Sequence, residues 1–184
     1  MEENGFRIRN QYHAHFVTFS VVGCVDVFTI RECRDILIEN LKHCIAHKGM
    51  LLYGYVIMSN HIHAIMAAHP ETKGLSFLIR DFKSYTSKKL STWILSSDKE
   101  SRKTWMTEVF RYYGLESGKI DLFQIWTHEN HPMVITQMDF FMQKLNYIHQ
   151  NPVKAGIVLK AEDYLYSSAS NYAGHKENIL DVIV

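Results

Sequence analysis

Two histidines one residue apart, His61 and His63, interrupt the apolar run YVIMSNHIHAIM (55–66). In a strand, residues i and i+2 point to the same face. The two imidazoles would then stand side by side, as two ligands of one metal ion must. Spacing alone is not specific, because the chain has 11 histidines and repeats the pattern in His13-Ala14-His15. Context separates the two pairs. His61-Ile62-His63 follows a turn in the most apolar part of the chain, where an unpartnered polar ring costs roughly 1–3 kcal/mol. A shared ligand would remove that cost. His13 lies where solvent can satisfy it. No Asp or Glu lies within the hairpin to serve as a third ligand, so that ligand must come from elsewhere in the chain.

The second group of residues is LNYIHQNPVKAGIV (145–158). Tyr147 and Asn151 are four apart and share a helix face, with Lys144 one turn before on the same side. One reading is a surface tyrosine followed by an Asn-Pro helix stop. The other makes Tyr147 a nucleophile and Asn151 the missing metal ligand. A phenol with a pKa near 10 is mostly protonated at neutral pH. It therefore needs a nearby base or an electrophile polarised by a metal.

The elements that must position these residues follow from patterning. AHFVTFSVV (14–22) is β-branched and aromatic and reads as a strand. Residues 29–47 keep helical spacing, with Thr29 and Glu32 as a capping box and Gly49 beyond the end. LLYGYVIM (51–58) and HIHAIMAA (61–68) form a tight antiparallel hairpin across Ser59-Asn60. A second amphipathic helix spans 75–95. Residues 98–118 read as loop with short structure, and KIDLFQIW (119–126) as a strand. A third helix covers 136–150, stopped by Pro152 and Gly156, and DYLYSSASNYAG is a packed irregular tail. The order β-α-β-β-α-β-α predicts an α+β fold. It is a ferredoxin-like antiparallel sheet with helices on one face and an appended C-terminal helix carrying Tyr147. With no repeat or linker, residues 1–184 are expected to be a single domain.

Hydrophobic-Ser-Asn-His-Ile-His, followed some 80 residues later by Tyr-Ile-x-x-Asn-Pro-x-Lys-Ala-Gly-Ile-Val, resembles the REP-associated tyrosine transposases. These belong to the single-tyrosine HUH class, which includes the insertion-sequence transposases. The similarity runs from HFVTF (15–19) to the SSASNY tail. It implies a metal-dependent single-stranded DNA endonuclease and strand transferase that acts through a 5′-phosphotyrosine on hairpin repeats. The metal would be held by His61, His63 and Asn151, and Tyr147 would be the nucleophile. Imidazole and amide ligands suit Zn²⁺ or Mn²⁺ by softness, while the resemblance points to Mg²⁺ or Mn²⁺, the expected cofactor. Relatives act as monomers or homodimers. Two other readings stay open: a hydrolytic metal-dependent phosphodiesterase that does not use the tyrosine, and a domesticated, non-catalytic regulator that binds hairpin DNA.

Composition bounds these readings. The net charge of +1 neither demands nor excludes a polyanion, so a DNA site must be local. Residues 75–105 hold seven basic side chains against three acidic ones, with Lys83, Lys88 and Lys89 as DNA-contact candidates. Lys144 and Lys154 are further candidates beside the tyrosine. Tyr85, Trp93, Trp105, Tyr112 and Tyr113 are interleaved and could stack on unpaired bases. Three cysteines without a CxxC pair favour a reducing compartment. With no signal-like or membrane-spanning stretch, the cytoplasm is the expected location.

Overall fold

The computed structural model describes residues 7–117 and 123–184. Strand β1 (His15–Ser20) is followed by helix α1 (Arg31–Lys48), the hairpin β2 (Met50–Ile57) and β3 (His61–Ala68), and helix α2 (Leu75–Ser96). Helix α3 (Lys103–Glu116), strand β4 (Met133–Val134), helix α4 (Met138–Lys154) and a short helix α5 (Ala169–Tyr172) complete the chain. The sheet order is β2-β3-β1-β4, all neighbours antiparallel. That is the ferredoxin-like arrangement expected from the sequence.

The central strand β3 is buried on both faces beyond His61, so it reads as nearly continuous apolar sequence rather than alternation. Phe19 and its neighbour Ile62 point to one face, where Phe82 of α2 packs 5.7 Å from the Phe19 ring. Helix α1 packs against α2 on this side. Phe16, Thr18, His61 and His63 point to the other face, which α4 covers: the Tyr147 and His63 rings lie 5.2 Å apart. The helix carrying the tyrosine therefore lies across the sheet from α1 and α2.

Close seating of α4 depends on Gly54. A Cβ there would lie 2.7 Å from Leu145 Cδ1 and 3.5 Å from Ser168 Oγ. Gly54→Val should cost about 1–3 kcal/mol by overpacking. It should lift the tyrosine off the histidines, which thermal denaturation and a DNA-nicking assay on the same sample would register. An unchanged melting temperature would contradict this packing.

Four details differ from the sequence expectation. The capping box at α1 does not form. Thr29 Oγ1 donates to the Asp26 carbonyl at 3.0 Å and Glu32 accepts from Lys99 Nζ at 2.9 Å, leaving Ile30 at the N-cap without a side-chain bond. The segment 98–118, expected to be loop with short structure, contains the 14-residue α3. Met106 and Phe110, one turn apart, form its buried stripe, and the Phe110 ring lies 5.4 Å from that of Phe123. Of the strand expected at 119–126, residues 119–122 lie outside the described residues. In the remainder only Trp126 bridges to Val21, and β4 falls at 133–134 instead. Between them the chain follows the free edge of β1 irregularly, with Thr127 N–H donating to Ser20 O and Thr18 N–H to Asn130 O, both at 2.9 Å. The polar sequence THENHP, with Pro132 lacking an N–H, suits such broken pairing. Finally, α4 runs through Pro152 to Lys154 and is closed by Gly156 at φ 70°. The proline removes one N–H but does not end the helix.

The tail runs along the outer edge of β2, as packed and irregular as expected. Ile57 N–H donates to Tyr166 O at 2.9 Å and Ser168 N–H to Tyr55 O at 3.0 Å. The Tyr164 and Tyr172 hydroxyls donate to Ile57 O and Tyr53 O, both at 2.7 Å. An edge strand that would otherwise expose unpaired backbone is thereby covered.

Candidate active site

Antiparallel pairing sets Thr18 directly opposite His63. The Thr18 hydroxyl lies 2.9 Å from His63 Nδ1. His61, two residues earlier on the same face, has its ring centroid 4.7 Å from that of His63 and its Nδ1 2.7 Å from Asn60 Oδ1. Phe16 stacks on His63 at 5.3 Å and meets the Tyr147 ring edge-on at 5.9 Å. The Tyr147 hydroxyl sits 3.5 Å from His63 Nε2. Residues 84 positions apart thus meet across the α4-covered face of the sheet.

The electrostatics favour neutral imidazoles. Burial pushes His63 down to about 3, with smaller contributions from the neighbouring His61 and the Lys144 charge. Burial also lowers His61. Neutral rings are the form that coordinates metals. Their Nδ1 atoms are engaged by Asn60 and Thr18, and His61 Nε2 has no hydrogen-bond partner among the described residues. Two imidazoles held by outer partners through Nδ1, with His63 Nε2 facing the Tyr147 hydroxyl, fit a divalent cation. Among the described residues no three His, Cys, Asp or Glu side chains gather into a metal-binding group. A donor set for a cation held there would have to be completed by another residue type, and the sequence candidate for it, Asn151, lies one turn beyond Tyr147 on α4.

Helix α4 passes over the strands in a fixed order. Phe141 packs on Tyr53, Leu145 over Gly54, and Tyr147 on His63. One turn on, the Asn151 Nδ2 donates to the Tyr147 carbonyl at 2.7 Å. Lys144 Nζ and Lys154 Nζ each lie 5.9 Å from the Tyr147 ring centroid. The tyrosine, itself 41% exposed, stands between two cations.

The other lysines expected to meet DNA lie across the sheet. Lys83 Nζ donates to Thr127 O at 2.7 Å and sits over the Phe19 ring. Together with Arg7, Arg80 and Lys88 it lines a cleft of about 1050 Å³ between α2 and residues 123–130. Lys89 Nζ lies 5.7 Å from the Tyr85 ring on the same helix. The second histidine pair separates from the first as expected: His13 is exposed, and the buried His15 has its Nδ1 2.8 Å from the His13 carbonyl. Sequence reasoning overlooked Thr18, Asn60 and Phe16 as parts of the site. Asn60 had a visible signal, its position immediately before the histidine pair. Thr18 emerges only from the strand register.

The family description "Transposase IS200 like" matches residues 9–119. The chain belongs to this family. The matched segment contains both histidines, while Tyr147 and Asn151 lie beyond it. A REP-associated tyrosine transposase solved in complex with a REP hairpin shares the fold, with TM-score 0.61 and 16% identity over 100% of this chain and 93% of that one. A candidate transposase from Deinococcus radiodurans aligns with TM-score 0.46 and 12% identity over 82% of this chain and 97% of that one. No curated protein matches the chain. Among the described residues no helix is long and apolar enough to cross a membrane.

Proposed function

We propose that this chain is a metal-dependent single-stranded DNA endonuclease and strand transferase that acts on hairpin repeats through a 5′-phosphotyrosine at Tyr147. The observation that carries this reading is the Tyr147 hydroxyl 3.5 Å from Nε2 of His63, beside His61. A hairpin-bound transposase of the same fold supports the choice of substrate.

The side chains divide the work. Tyr147 attacks the scissile phosphorus in line, forming a tyrosine O–P bond as the P–O3′ bond breaks and the 3′-OH leaves. The Lys144 and Lys154 ammonium groups, each 5.9 Å from the Tyr147 ring, hold phosphates adjoining the scissile one. His61 and His63, through Nε2, and Asn151 would hold the cation. Bound there, Mg²⁺ or Mn²⁺ supplies Lewis-acid stabilisation of charge on the phosphate. Because the phosphodiester is kept on the protein, a second 3′-OH can reverse the step and join a new strand. The α2 cleft with Arg80, Lys83 and Lys88, and Lys89 beside it, would hold phosphates farther along the DNA, a contribution that weakens with salt.

The test is incubation of labelled single-stranded hairpins, drawn from repeats flanking the gene, with Mn²⁺ and separation on a denaturing protein gel. A covalent adduct is expected, and EDTA should abolish it. Strand cleavage without an adduct would instead favour a hydrolytic phosphodiesterase, and tight binding without cleavage a hairpin-binding regulator.

A further inference from the structure

The two histidines meet their protein partners through the same ring nitrogen. For His61 the partner's identity fixes the proton. Asn60 Nδ2 lies 3.2 Å from the Cys24 carbonyl, which can only accept, so the amide must present its oxygen to His61. That oxygen also only accepts, at 2.7 Å from Nδ1. His61 therefore carries its proton on Nδ1, and Nε2 keeps a lone pair.

The Cys24 carbonyl is itself held in place. Gly23 and Cys24 turn the chain through the left-handed region, at φ 61° and 53°. Two backbone bonds then tie this loop to the hairpin turn: Val21 N–H to Asn60 O at 2.9 Å and Phe28 N–H to Ser59 O at 2.8 Å. For His63 the partner is Thr18 Oγ1, placed by the Thr18–His63 register and kept there by the stiff β-branched χ1. A hydroxyl can donate or accept. Were it the donor, the His63 proton would sit on Nε2 and no lone pair would stand beside that of His61; the Tyr147 hydroxyl 3.5 Å away suits either form.

We infer that Asn60 and Thr18 are positioning residues that lock both imidazoles in the Nδ1–H form, so that the two Nε2 lone pairs are offered to one cation beside Tyr147. This deepens the proposed function and rests on its reading of His61 and His63 as ligands. Asn60 thereby gains a role beyond that of a turn former: it links the loop after β1 to the protonation pattern of the site.

Two measurements test it on the full chain. Long-range ¹H–¹⁵N NMR of the metal-free protein reads which ring nitrogen bears the proton, and calorimetric titration with Mn²⁺ reads affinity. In the wild type both rings should be protonated at Nδ1. Asn60→Ala should shift His61, and Thr18→Val should shift His63, toward the Nε2–H form. Each should weaken Mn²⁺ binding by roughly 10–100-fold. Thr18→Ser, which restores a hydroxyl, should recover most of the loss, an outcome that a purely structural role for the threonine methyl would not give. Nε2–H rings in a wild type that binds Mn²⁺, or both variants binding Mn²⁺ like the wild type, would overturn the inference. Nδ1–H rings in a wild type that binds no Mn²⁺ would instead overturn the ligand reading and leave the tautomer lock standing.

Discussion

Tyr147→Phe should abolish the covalent DNA adduct and reduce strand cleavage by at least about 10⁴-fold, the scale seen when a catalytic nucleophile is removed. Hairpin binding should stay within about twofold of wild type, as for a surface substitution that disturbs no packing. The substitution is clean for structural reasons. The tyrosine ring meets Phe16 and His63 edge-on, and phenylalanine keeps both contacts. The hydroxyl's contact with His63 Nε2 is long, at 3.5 Å, so its removal gives up at most one weak hydrogen bond. Denaturing gels with 5′- and 3′-labelled hairpins measure the effect, and a mobility-shift titration measures binding. Cleavage by the variant at the wild-type rate would rule out the tyrosine as nucleophile and leave the histidine pair serving hydrolysis.

The second large effect is loss of stability in mild acid. Burial holds His63 down to about 3 and His149 down to about 4, whereas in the unfolded chain a histidine titrates near 6.5. Below pH 6.5 the unfolded chain binds protons that the fold does not. Stability therefore rises with pH in this window and falls as the pH drops from 6.5 toward 4. Each group contributes up to about 1.4 kcal/mol per pH unit. Lowered by burial, His61 and His15 act in the same direction. Glu32 and Glu100, both held below their ordinary value by Lys99 and Arg102 respectively, also lose stabilising ionisation as the pH falls and so act in the same direction. Moving from pH 7.5 to pH 5 in EDTA should thus cost about 4 kcal/mol through His63 and His149 alone. Urea titrations at the two pH values measure it, and equal midpoints would contradict the burial of these rings. His149→Gln should flatten the dependence by about half. His149 Nε2 lies 2.9 Å from Ser168 Oγ, and Ser168 Oγ in turn accepts from Tyr55 N–H.

How far the molecule can be read from its residues depends on whether a signal is local. The hairpin around Ser59-Asn60 and helices α1 and α2 carry strong periodicity, and their bounds follow from it to within two residues. Helix α3 is hidden because its buried stripe is narrow, resting on Met106 and Phe110 amid charged and glycine residues. Strand β4 is hidden because two residues carry no period at all, and the aromatic-rich stretch before it looks more like a strand. At α1 the expected capping box loses to other partners: the Asp26 carbonyl three residues back and Lys99 take the two side chains that would have formed it. At the site, residue type and spacing point to His61, His63 and Tyr147, and the fold brings them together. Thr18 and Asn60 depend on the register of β1 against β3 and on a left-handed turn at Gly23-Cys24. Neither feature leaves a periodic trace.

The seat of α4 on Gly54 has a kinetic consequence. Leu145 and Ile148 press the helix onto the sheet, and Tyr147 sits two turns before its end, so the proposed nucleophile is carried on a packed helix rather than on a loop. The entropy of bringing reactants together then falls on the nucleic acid, which must present its backbone to a stationary oxygen. Once attached, the 5′ end would stay where it was cut. The choice between resealing the original strand and joining a new one then becomes a contest between two 3′ ends for one berth, decided by how long the first lingers before it departs.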